Sequence, residues 1–168
     1  MTFRCATCGE LHEGLPDQAF DAPLHYAQIP EDERAARATL QSDFCTIDRR
    51  DFFVRGCLPI RIKGTDDTFT WGVWVTLSEA NFKRYWDLFE VDPPPPGEGP
   101  YFGWLSNRLA GYPDTLNLKT HVHLRAGRQR PLIVLEPTDH PLAVHQRDGI
   151  TMEELLTIIG DPWHDHPV

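Results

Sequence analysis

The chain has 168 residues, of which 40% are hydrophobic and 24% charged, the composition of a soluble globular protein and too apolar for general disorder. Its net charge of -9 excludes sequence-independent binding to nucleic acid, which needs a basic footprint to displace counterions, and suits a basic partner surface better. No apolar run reaches the roughly 18 residues of a membrane span, and MTFRCATCGE has neither a basic n-region nor an apolar h-region, so the expectation is a cytoplasmic protein with one domain over residues 1–168.

Residues 1–30 open with Cys5-Ala-Thr-Cys8-Gly9 and then His12. CxxC-Gly is the knuckle of many zinc sites, because two thiolates can reach one ion from a tight turn that the glycine allows. One knuckle supplies half a site. Cys5 and Cys8 are therefore candidate ligands of a structural zinc, with His12 and Cys45 as the first candidates to complete it and Cys57, His164 and His166 behind them. A redox CxxC or inert thiols are the alternatives; the redox reading suffers because Gly9 and Pro16 lead into loop, not into a helix.

Three prolines space an irregular stretch from Gly14 to Pro30. Pro30 with Glu31, Asp32 and Glu33 then starts a helix expected to run to about Leu40, with acids near the positive end of the helix dipole. Residues 43–77 hold a short strand, Asp43 to Ile47, and a hairpin from Phe52 to Leu77. In the hairpin Phe52, Val54, Leu58, Ile60 and Ile62 alternate on one arm, and Phe69, Trp71, Val73, Val75 and Leu77 on the other. A four-residue loop, Gly64 to Asp67, would set Ile62 opposite Phe69, Ile60 opposite Trp71 and Cys57 opposite Trp74. The other face would carry Phe53, Arg55, Cys57, Trp74 and Thr76.

Ser78 is an N-cap, and Phe82, Tyr85, Trp86 and Phe89 form an aromatic stripe at helical spacing that reads as core. The helix must stop before Asp92-Pro-Pro-Pro-Pro-Gly97, since consecutive prolines lack the N–H donors of a helix; this segment reads as a stiff spacer, with a docking peptide as the alternative. The stretch Tyr101 to Pro113 predicts a short helix ending at Gly111, with Trp104, Leu105, Arg108 and Leu109 on its dense face. Residues 117–136 predict a second hairpin whose polar face carries His121 and His123. Glu136, Asp139, His140 and His145 share a turn-rich stretch where a carboxylate could orient an imidazole, although loop capping accounts for them as well. In residues 150–160, Thr151 and Glu154 form a capping box, Ile150 and Leu155 a hydrophobic staple, and Gly160 the stop.

The motifs CxxCGxxHxGLP (Cys5 to Pro16), DxCxI (Asp43 to Ile47), FFVRG (Phe52 to Gly56), WGVWVTLSEANF (Trp71 to Phe82), FGWLS (Phe102 to Ser106) and LEPTDHPLA (Leu135 to Ala143) together resemble the bacterial family known as domain of unknown function 2199. The resemblance covers nearly the whole chain. It implies a bacterial, single-domain, cytosolic protein and carries no assigned activity.

The expected fold is α+β, a mainly antiparallel sheet of two hairpins and a short extra strand with about four helices packed on one face. No catalytic motif is recognisable, and the first functional reading is a non-catalytic binding or interaction domain with an aromatic surface around Trp74 and Trp104. The second is a protein or enzyme that binds a small anionic ligand in a pocket between the hairpins, lined by Arg55, Trp74, Trp104, Glu136 and His140. A zinc hydrolase is disfavoured because no HExxH is present.

Overall fold

The computed structural model describes residues 2–4, 10–15 and 17–160. Cys5, Cys8, His164 and His166 lie outside them, and of His12 only the backbone is described. In chain order the elements are β1 (Thr2–Arg4), β2 (Leu11–Glu13), β3 (Gln18–Ala19), α1 (Leu24–Ala27), α2 (Glu31–Arg37), β4 (Ala38–Leu40), β5 (Phe44–Ile47), β6 (Asp51–Arg61), β7 (Thr68–Leu77) and α3 (Glu79–Leu88). These are followed by β8 (Tyr101–Trp104), β9 (Lys119–His123), β10 (Leu132–Leu135), α4 (Pro141–Asp148) and α5 (Met152–Ile159).

The fold is α+β, but its main sheet is mixed. Eight strands run in the order β3-β7-β6-β10-β9-β8, with β5 on the free edge of β6 and β4 outside β5; β3 pairs with β7, and β10 with β6, in parallel. The two hairpins therefore belong to one sheet, joined where Leu132 faces Cys57. The sheet also curls back on itself. Val75 bridges Leu105, the Ser106 N–H donates to the Trp74 carbonyl at 2.8 Å, and the Trp104 N–H donates to Thr76 Oγ1 at 3.0 Å. The strand at the far end of the order thus returns to β7 and covers part of its edge.

In the β6–β7 hairpin Leu58 faces Trp71 and Ile60 faces Phe69, a register two residues away from the expected one. Ile62 leaves the ladder to bridge Ile150, and the turn is closed by the Ile62 N–H donating to the Asp67 carbonyl at 3.0 Å. Because side chains alternate with period two, a slip of two leaves each one on its expected face and changes only its partner. Arg55, not Cys57, now stands opposite Trp74.

Inside the curl lies the main core: Val54, Leu58, Ile60, Val73 and Val75 from the long hairpin meet Leu105, Val122, Ile133 and Leu135. Tyr85 of α3, Leu142 of α4 and Leu155 of α5 close it. A smaller cluster of Ile29, Cys45, Ile47, Phe53 and Trp74 sits on the opposite face with Tyr26 of α1 against it, so helices are not confined to one side.

Further expectations are corrected. Among the described residues there are five helices, α1 arising inside the stretch read as irregular. The helix begun at Pro30 ends at Arg37, because Ala38 turns to extended backbone (φ -135°, ψ 151°) and pairs with Ile47. The segment Tyr101 to Trp104 is a strand, its side chains alternating buried and exposed. The aromatic stripe of α3 is only partly core: its four rings gather round Phe44 with centroids 4.6 to 5.7 Å away, while Trp86 and Phe89 remain exposed. The Ser78 cap, the Pro141 helix start and the Thr151–Glu154 capping box are all present as read.

Candidate functional site

A groove of about 510 Å³ opens where the β6–β7 hairpin ends and β8 crosses β7. It is lined by Phe52, Phe53 and Leu77 of the hairpin, Ser78 and Asn81 from the start of α3, and Phe102 and Trp104 from β8. Local structure dictates this. In β8 the odd positions, Tyr101 and Gly103, face inward and the even ones, Phe102 and Trp104, outward, so two large rings project from the same side of a short strand. Each is 40% exposed, and the rings meet edge to face at 5.1 Å. Phe102 also meets the His121 ring at 6.2 Å, and His121 Nε2 stands 3.3 Å from Glu136 Oε1.

His25 also lines the groove, 5.4 Å from the Phe53 ring, and among the described residues its buried Nδ1 has no hydrogen-bond partner. Arg50 and Asp51, paired at 3.7 Å and both exposed, mark the rim. The groove thus offers aromatic faces, which accept apolar or cationic groups, with a few polar groups beside them. Among the described residues that line it, no hydrogen bond joins a nucleophile to a base.

The five residues expected to line one ligand pocket are dispersed. Trp74 is fully buried, with its Nε1–H donating to the Phe20 carbonyl at 2.9 Å. Arg55 lies over that ring at 5.9 Å, and its largely covered guanidinium reaches Asp21 at 3.9 Å. His140 caps α4: Nδ1 accepts from the Leu142 N–H at 3.1 Å, which leaves Nε2 as the donor to the carbonyls of Pro113 and Asp114. Glu136 is engaged by His121. Of the five, Trp104 alone lines the groove.

Cys45, a candidate metal ligand, is wholly interior beside Ile47, Phe53 and Trp74, and burial pushes its thiol up to about 12, which holds it protonated. Among the described residues no three His, Cys, Asp or Glu side chains are placed to share a metal ion. Phe102 and His25 were missed in the sequence. The alternation of residues 101–104 carried a signal for Phe102; nothing local pointed to His25.

The described residues form an α+β protein with a mixed, curled sheet and an aromatic groove at its closure, and no helix among them is long and apolar enough to cross a membrane. The chain belongs to the DUF2199 family, described as an uncharacterized protein conserved in bacteria, whose model matches residues 4–150. No curated protein and no solved structure matches it.

Proposed function

We propose that this protein is a non-catalytic interaction protein that docks an extended, basic segment of another protein in the groove beside β8. The observation that carries the reading is the exposed pair Phe102 and Trp104 lining a groove together with Phe52 and Phe53. Large rings left half in water beside a concavity are the usual energetic centre of an interface. The net charge of -9 selects a basic segment, since it draws cations toward the surface and repels acidic chains. A lysine or arginine from that segment can lie against either ring.

In the same reading Cys5 and Cys8 supply two thiolates to a structural zinc that steadies the N-terminal part of the chain. Selection from a displayed library of random peptides tests the docking proposal. Enrichment of basic peptides that bind wild-type protein and lose about tenfold or more in affinity for Trp104→Ala supports it. Enrichment of acidic peptides, or binding indifferent to Trp104, overturns it.

A further inference from the structure

A second concavity, of about 360 Å³, lies on another part of the surface, between the C-terminal end of α3, the proline-rich segment and the β9–β10 turn. Its chemistry differs from that of the groove. Arg125, Arg128 and Arg130 all come from one turn and line it together, in a chain whose net charge is -9. Two carboxylates oppose them: Arg130 Nε donates to Asp43 Oδ1 at 2.7 Å, and Arg128 pairs with Glu90 at 3.0 Å. Arg125 donates from Nε to the Arg130 carbonyl at 2.8 Å, which orients it without neutralising it. Asp92 also reaches this turn, its Oδ1 accepting from the Gly127 N–H at 2.8 Å, but among the described residues no carboxylate is ion-paired with Arg125. A guanidinium has five N–H donors, and these contacts use one on each arginine.

Tyr85 lines the same cleft, with only 5% of the residue exposed. Burial, and after it the Asp43 carboxylate, raises its pKa above the ordinary tyrosine value, so the phenol keeps its proton and is a donor at neutral pH. A phenol that lines a cleft can donate its O–H to an acceptor supplied by a ligand. Leu88, Phe89, Val91 and Pro94 form an apolar wall beside it.

We infer that this cleft is a binding site for a small carboxylic acid with an apolar or aromatic body, its carboxylate held by Arg125 and the Tyr85 hydroxyl and its body lying on the wall of Leu88, Phe89 and Pro94. A carboxylate carries one negative charge, which the one guanidinium of the three without an ion pair, that of Arg125, can balance. A phosphate monoester carries nearly two at neutral pH and would leave one uncompensated. The planar carboxylate also suits the guanidinium fork.

Titration of the full chain with phenylacetate, isovalerate, phenylacetamide and phenyl phosphate, followed by calorimetry and by amide chemical shifts, tests this. Saturable binding of phenylacetate with shifts confined to the α3 end and the β9–β10 turn is expected. Affinity should fall about tenfold or more in Tyr85→Phe and in Arg125→Gln, and phenylacetamide should bind at least tenfold more weakly. Tyr85→Phe nearly keeps side-chain volume, and Arg125 lies outside the core, so at least one folded variant is available. Absence of saturable binding, affinity unchanged in both variants, or tighter binding of phenyl phosphate than of phenylacetate overturns the assignment.

Discussion

Gly103 rests so closely on β7 that a Cβ at its position would stand 2.2 Å from the carbonyl oxygen of Thr76. That approach is where the sheet returns to its own edge. It lets the Trp104 N–H reach Thr76 Oγ1 and the Val75–Leu105 bridge form. A buried asparagine locks the same corner: Asn107 Oδ1 accepts from the Trp74 N–H at 2.7 Å while its amide donates to the Ala22 carbonyl at 3.0 Å. Since β8 also carries Phe102 and Trp104, the closure positions the groove as well as the core.

Gly103→Ala is therefore expected to destabilise the fold strongly, by about 3 kcal/mol or more, because a β7 backbone atom cannot give way as a flexible side chain could. Urea denaturation checks this. A midpoint within error of wild type would mean that β8 does not lie against Thr76 as described.

His145 makes stability depend on pH. Burial holds its imidazole below the ordinary value of about 6.5, outweighing the carboxylate of Glu154, which pulls the other way; Lys63 acts with burial. The folded protein resists a proton that the unfolded chain accepts, so the contribution is present above about pH 6.5 and is lost as pH falls through the lower, folded value. The melting temperature should decline on acidification from about pH 8 to about pH 5, and His145→Gln should flatten that decline. An equal slope in the variant would refute this role. Its Nδ1 lies 2.9 Å from the Tyr112 hydroxyl, so the glutamine retains a polar partner there.

Metal content separates the cysteines. Protein purified without an affinity tag is expected to hold about one zinc per chain and to lose it in Cys8→Ala. Cys45→Ala should leave the zinc in place and cost about 1 kcal/mol of stability, near the value of one buried methylene, since its thiol is protonated among apolar side chains. Loss of zinc in Cys45→Ala would contradict the interior role, and metal-free wild type would dispose of the zinc.

Much of this architecture was legible because it is local. Alternation from Phe52 to Leu77 fixed both faces of the long hairpin, and Ser78, Pro141 and the Thr151–Glu154 box marked helix starts through groups a few residues apart. The two-residue register error came from Ile62, which pairs with Ile150, a partner no hairpin rule can see. Around Trp104, the spacing of Leu105, Arg108 and Leu109 fits a helical face as well as the alternation of Tyr101 to Trp104 fits a strand, and the tertiary contact at Gly103 decides for the strand. Trp74 was read as surface because its face of the sheet looked open. The segment from Phe20 to Ile29, remote in sequence, covers it. The groove escaped for the same reason: His25, Phe52, Asn81 and Phe102 have no common sequence signal and meet only through the closure.

The most direct test of docking beside β8 is calorimetric affinity of a selected basic peptide for wild type, Phe102→Ala and Trp104→Ala, read beside their urea midpoints. The account predicts affinity about tenfold or more weaker in each variant, with folding stability within about 1 kcal/mol of wild type because both rings are substantially exposed. Undiminished affinity in the two folded variants would contradict it.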